Sequence, residues 1–173
     1  MNIILIGYRG SGKTTVGRLL ADQLKKTFVD VDDEICGRFG GRTIADIWER
    51  DGERAYRDVE CQVAADLCSR DEHIIGLGGG TLGESPARRS IEEADAVRIY
   101  LKCDSQTLLQ RISADVHSAA TRPNLTRLGG GIEEIETMLA QRQPVYEAVA
   151  DVILEVSRMT PEQVAEMLVR NHL

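Results

Sequence analysis

Apolar positions in this chain alternate between two rhythms. NIILI at 2–6 is an unbroken apolar run too short for a helix, and behind it Val16, Leu19, Leu20 and Leu24 recur at helical spacing. FVDVD at 28–32 reads as a second strand, followed by a glycine-punctuated segment. Ile44, Ile47 and Trp48 open another helical pattern, and Tyr56, Val59, Val63 and Leu67 a longer one. HIIGL at 73–77, AVRIYL at 96–101 and DVILEV at 151–156 complete five strand patterns. Helix starts lie between them: Ser85 as a cap with Pro86 at the first helical position, Asp104 or Ser105 after the fourth strand, and a capping box from Thr160 to Gln163. Ile132, Ile135 and Leu139 begin a helix that Pro144 is expected to kink or end. Residues 113–131 are polar, glycine-rich and without a clean period, the mark of a functional or mobile segment. Strands alternating with helices predict an α/β domain whose parallel sheet is covered on both faces. No internal repeat, low-complexity tract or second domain is evident.

Composition narrows the partners. The 173 residues suffice for one core, and 4% aromatic content makes that core aliphatic. A net charge of −7 with no basic stretch argues against nucleic-acid binding, so an anionic ligand must be held by a few placed cations. Cys36, Cys61, Cys68 and Cys103 have no metal-ligand spacing and, with no signal-peptide pattern, predict reduced thiols in the cytoplasm. No apolar run approaches the roughly 18 residues that span a bilayer. His73, His117 and His172 form no cluster.

The chemistry concentrates where strands end. Gly7-Tyr8-Arg9-Gly10-Ser11-Gly12-Lys13-Thr14 fits G-x-x-x-x-G-K-[ST] between a strand and a helix. Its glycines let backbone N–H groups converge on an anion, helped by the helix N-terminus. Lys13 would reach the phosphates and Thr14 a Mg²⁺ ion. Period two puts Asp30 and Asp32 on one strand face, which suits metal-bound waters and hydroxyl activation. Gly78, Gly79 and Gly80 permit close backbone approach to a ligand; Gly129–Gly131 reads as a helix lead-in. Arg57 shares a helical face with Glu53 and Glu60, either as a held fork for a carboxylate or as an exposed ion-pair cluster. Arg122 in the irregular segment and Arg142 before Pro144 are candidate anion contacts, Arg111 ends a helix, and Tyr56 and Trp48 read as core.

Taken together these motifs resemble the shikimate kinase family along residues 2 to 165. They are GYRGSGKTT, the D-x-D of FVDVDDEI, IADIWERDGERAYRDVE, LGGGT, TRPNL and QRQPVY, in that order. The resemblance implies a three-layer P-loop kinase fold, with a five-stranded parallel sheet in order 2-3-1-4-5 flanked by helices and a mobile lid. It implies one domain over 1–173, with an acceptor segment at about 32–61 and a lid at about 112–128. The implied activity is MgATP-dependent phosphorylation of the 3-hydroxyl of shikimate, in aromatic amino acid biosynthesis, by a cytoplasmic monomer with no nucleic-acid or membrane partner. By motif position, Gly10, Ser11, Gly12, Lys13, Thr14, Thr15, Arg111 and Arg122 would serve ATP, and Thr14 and Asp30 the metal. Asp32, Arg57, Gly78, Gly79, Gly80 and Arg142 would hold shikimate, with Lys13, Asp32 and Arg122 catalytic. The chain departs from the family's pattern in the polar lid after Pro123 and in Tyr56, where phenylalanine is commoner and the change is expected to be harmless. Two alternatives stand beside this reading: a lid-bearing kinase of another acceptor, gluconate above all, and a nucleotide-binding regulator without chemistry.

Overall fold

A computed structural model describes residues 1–83, 86–115 and 129–173. Ser85, His117, Arg122, Pro123 and the lid expectation from residue 116 onward lie outside the described residues. In chain order the elements are β1 Asn2–Ile6, α1 Lys13–Leu24, β2 Thr27–Asp30, α2 Val31–Arg38, α3 Ile44–Arg50, α4 Gly52–Cys68 and β3 His73–Gly76. There follow α5 Ala87–Glu93, β4 Ala96–Lys102, α6 Ser105–Ala114, α7 Ile132–Val149, β5 Val152–Glu155 and α8 Pro161–Asn171. The strands form one sheet in the order β2-β3-β1-β4-β5, with every pairing parallel. All five strands therefore point the same way, and their carboxyl ends share one rim, where ligands of such sheets bind.

Alternation along β1 builds both cores. Ile4 and Ile6 face a cluster made with Val31 and Ile35 of α2, Ile47 of α3, Val63 and Leu67 of α4 and Ile91 of α5. Ile3 and Leu5 face the other side, against Val16 and Leu20 of α1, Leu108 of α6 and Leu168 of α8. Helix α7 divides itself between the two, placing Ile135 in one cluster and Tyr146 and Val149 in the other. Arg142 is thereby carried past the rim of the sheet. Among the described residues no helix is long and apolar enough to cross a membrane, and no disulfide links the four cysteines.

The ends of β3, β4 and β5 differ from the sequence reading by one residue, and four larger differences stand out. The second strand stops at Asp30, and Val31 starts a helix, so Asp30 and Asp32 do not share a strand face. Asp30 caps α2 by accepting from the Asp32 N–H at 3.0 Å. The run Asp32-Asp33-Glu34 then fills the first turn, where carboxylates complement the helix dipole. Pro144 does not end α7, which continues to Val149. The lost backbone rung costs roughly 3 kcal/mol and is offset by burial of Tyr146 and Val149, 2% and 7% exposed, in the turn beyond. Pro86 sits just outside α5, as its cap, rather than at its first position. Of the segment 113–131, residues 113 and 114 belong to α6. The two cap expectations that remain hold: Asp104 accepts from the Thr107 N–H at 2.8 Å, and the Thr160–Gln163 box forms in both directions.

Candidate active site

The loop after β1 is an anion cradle by construction. Gly10 and Gly12 have φ of 85° and 98°, a region that side chains with a Cβ rarely adopt. Gly12 occupies the cap position of α1, no side chain caps that helix, and no acidic residue lies in its first turn. Its first N–H groups thus remain for an anion. Lys13 Nζ donates to the carbonyls of Gly7 at 2.7 Å and Tyr8 at 3.1 Å, folding over the loop it serves. Thr14 Oγ1 donates to Asp30 Oδ2 at 3.0 Å, so a hydroxyl and a carboxylate oxygen stand side by side under the cradle. Ser11 is buried, while Thr15 is exposed on α1. Arg111 donates to the Val156 carbonyl at 3.2 Å and lies 3.5 Å from the Gly10 and Ser11 carbonyls, on the flank of the loop.

Beside the cradle lies a second cleft. Asp32, Arg57, Gly78, Gly79, Gly80 and Arg142 all line it. The glycine run explains why they meet. A Cβ at Gly78 would lie 2.6 Å from Asp32 Oδ1, one at Gly79 3.0 Å from Arg142 Nη1, and one at Gly80 2.9 Å from Arg57 Nη2. Each missing side chain is occupied by one polar group of the cleft. The Tyr146 hydroxyl donates to the Gly79 carbonyl, and the Arg142 guanidinium stacks 5.7 Å from the Tyr8 ring centroid. QRQPVY is thereby fastened both to the glycine run and to the loop after β1. Burial pushes the Tyr146 phenol up to about 12, so it stays a donor.

Arg57 is not part of an exposed cluster. Its Nη1 donates to Glu60 Oε2 at 2.7 Å, and Glu60 is 1% exposed. Glu60 also accepts from the Thr81 hydroxyl at 2.7 Å, so both its oxygens are engaged. Glu53 lies farther away, at 3.6 Å. Burial opposes the guanidinium charge, but Glu60, with Tyr56 and Glu53 behind it, raises the pKa above the ordinary value. A buried carboxylate of this kind fixes the fork and leaves its outer edge for a planar anion.

Three residues of the cleft escaped the sequence reading. Tyr56 is core by burial, yet its hydroxyl donates to Asp32 Oδ1 at 3.1 Å. Trp48 lines the cleft, and its Nε1 has no hydrogen-bond partner among the described residues. Arg9, the variable position of the glycine loop, projects into the same cleft with its Nε likewise unpartnered among the described residues. The i+3 spacing of Glu60 was visible in sequence; the meeting of α2, α3, α4 and the glycine loop at one cleft was not.

A phosphate cradle and a carboxylate-bearing, arginine-lined cleft side by side on the rim of a parallel sheet define a P-loop kinase of small molecules. The shikimate kinase family model matches residues 9–172. A shikimate kinase of Streptococcus gordonii is 37% identical over 171 residues, covering 97% of this chain and 98% of that protein. A solved structure of shikimate kinase from Acinetobacter baumannii in complex with shikimate superposes with a TM-score of 0.88 at 32% identity, covering 98% of this chain and 90% of that one. This chain belongs to the shikimate kinase family. A gluconokinase from Sinorhizobium meliloti superposes with a TM-score of 0.56 at 19% identity over 95% of this chain and 87% of that one, which shows a shared fold alone.

Proposed function

We propose that this chain transfers the γ-phosphoryl group of ATP to the 3-hydroxyl of shikimate, in the cleft where Asp32, Arg57 and Arg142 meet Gly78–Gly80. The products are shikimate 3-phosphate and ADP. The observation that carries the reading is the glycine run, whose three absent Cβ atoms leave room for one carboxylate and two guanidinium groups. Two arginines suit the acid group of the acceptor, and one carboxylate suits its hydroxyls. Family membership supplies the reaction, and the cleft supplies the acceptor chemistry.

Transfer of this kind needs positioning and charge neutralisation more than covalent help. Gly10, Ser11, Gly12, Lys13, Thr14 and Thr15 would surround the phosphates, with the Lys13 ammonium on the outer ones. Arg57 and Arg142, braced by Glu60 and by the ring of Tyr8, would clamp the carboxylate of shikimate. Asp32 would orient the 3-hydroxyl and take its proton as the new P–O bond forms. Arg111 would pack beside the nucleotide base. Arg122 would come from the lid to the transferring phosphoryl group, a role resting on the resemblance of TRPNL.

Magnesium fits the residues present. The Thr14 hydroxyl and Asp30 carboxylate are hard oxygen donors held 3.0 Å apart, and no cluster of three His, Cys, Asp or Glu among the described residues could hold a metal unaided. Such a donor set suits an ion that takes its remaining ligands from water and phosphates. When bound, the ion would neutralise charge on the β- and γ-phosphates. We read the chain as one domain over 1–173, with the acceptor segment at about 32–61 and the lid at about 112–128, acting as a cytoplasmic monomer.

ADP release with MgATP, measured without acceptor, with shikimate and with gluconate, tests the reading. Release dependent on shikimate is expected. Release with gluconate alone would reassign both arginines, and no acceptor-dependent release would favour a regulator.

A further inference from the structure

We infer that Tyr56 is a positioning residue for the reaction, its phenol holding the Asp32 carboxylate in place at the acceptor. The inference rests on the function proposed above. Tyr56 and Asp32 are 4% and 7% exposed, and the hydroxyl donates to Asp32 Oδ1 at 3.1 Å. This is the oxygen that a Cβ at Gly78 would approach to 2.6 Å. Oδ1 is thus held between a backbone that has no side chain and a phenol that gives it a proton to accept.

The phenol is itself fixed. Its ring meets Trp48 edge-on, with centroids 5.9 Å apart at 68°, and the Arg57 guanidinium lies 5.4 Å from its centroid. Burial first, then the charges of Asp32 and Glu60, push its pKa far above the ordinary value of 10.0. It therefore remains a donor at any working pH. The charged groups sharing the cleft with Asp32 are Arg9, Arg57, Glu60 and Arg142. The arginines and Glu60 enter from the glycine loop, α4 and α7, whereas Tyr56 contributes a neutral donor. A hydrogen bond to an ionised group is about twice as strong as a neutral one. It restrains the carboxylate of a short side chain about χ2, a broad torsion. Substituting phenylalanine at this position is therefore not neutral in this chain.

Tyr56→Phe keeps both ring contacts and removes the donor alone. We expect kcat with shikimate to fall about 10-fold, as for loss of one hydrogen bond to a charge, while KM for ATP stays within about twofold. Urea unfolding of the wild type, Tyr56→Phe, Asp32→Ala and the double variant reads the contact without any turnover. Tyr56→Phe should lower the midpoint by about 0.5 M in the wild-type background and leave it unmoved or raised beside Asp32→Ala. Equal losses in both backgrounds would overturn the contact. Coupling in urea with unchanged kcat would overturn its part in the reaction, as would KM values for ATP and shikimate rising together. Absence of shikimate-dependent ADP release from the wild type would instead strike the functional reading, and the urea cycle would still decide the Tyr56–Asp32 contact.

Discussion

Gly78→Ala puts the geometry of the cleft under a defined load. A Cβ there lies 2.6 Å from Asp32 Oδ1 and 3.0 Å from Thr81 Oγ1, whereas ordinary contact begins at 3.4 Å. Gly78 is not in the left-handed region, so the backbone accepts alanine without strain. The load falls on the neighbours. Thr81 is tied to buried Glu60 at 2.7 Å, and Asp32, held by the longer bond from Tyr56 at 3.1 Å, is the one pressed to retreat, by about 0.8 Å. Misplacing a reacting group by about 1 Å costs about 100-fold in rate. For the smaller retreat we expect kcat to fall about 50-fold, or about 2.3 kcal/mol in the barrier. The cradle is untouched, so KM for ATP should stay within about twofold. The assay is steady-state ADP release at saturating shikimate and ATP. It is run well below the thermal midpoint, because overpacking also costs about 1–3 kcal/mol of stability. A folded variant whose kcat stays within about threefold of wild type would refute the placement of Asp32 at the reacting hydroxyl.

Other consequences can be read independently. Arg57→Ala should raise KM for shikimate about 30-fold, since about 2 kcal/mol of charge-assisted bonding to the acceptor is lost; an unchanged KM, measured by acceptor titration, would remove Arg57 from the carboxylate. Gly37→Ala, in helix α2 with nothing within 4 Å of the added Cβ, should gain roughly 0.5–1 kcal/mol and raise Tm by about 2 °C, seen by thermal denaturation. Asp104→Ala should cost about 1 kcal/mol through loss of the α6 cap. The bond from the Thr107 N–H, then those from the Ser157 and Thr107 hydroxyls, lower the Asp104 carboxyl from 3.8 to about 2. A depressed folded-state value means that the cap's contribution is complete above about pH 4 and is lost as pH falls towards 2. The stability difference between the two proteins in urea should therefore shrink across that window.

Much of the architecture is legible in sequence because β1 and β3 run into glycines and α1 and α4 keep a 3.6 period. What was illegible has physical reasons. In FVDVD the alternation that marks a strand overlaps the Asp cap and acidic first turn that mark a helix, and the cap prevailed once Val31 and Ile35 found the core. Pro144 breaks a local rule, but burial two residues later supplies more than the rule costs. For the candidate site, the glycine loop was legible from spacing, whereas Asp32 was named from a strand period that α2 replaces, and the roles of Arg57 and Arg142 came from the resemblance. Their convergence on successive glycines was not legible, because it depends on how α4 and α7 lie against the turn after β3. The hydroxyl of Tyr56 reaches a residue 24 positions away, a contact set by the crossing of α2 and α4 and carried by no periodicity. Arg122 falls outside the described residues, so its role stands on the motif.

The central claim is that a phosphoryl group passes from ATP to one hydroxyl of shikimate in this cleft. The ¹H–³¹P correlation spectrum of the reaction product tests it most directly. A phosphorus resonance coupled to the ring proton at carbon 3, formed in step with ADP, is the result the account predicts. ADP appearing with inorganic phosphate and an unmodified ring, or phosphorus coupled at another carbon, would contradict it.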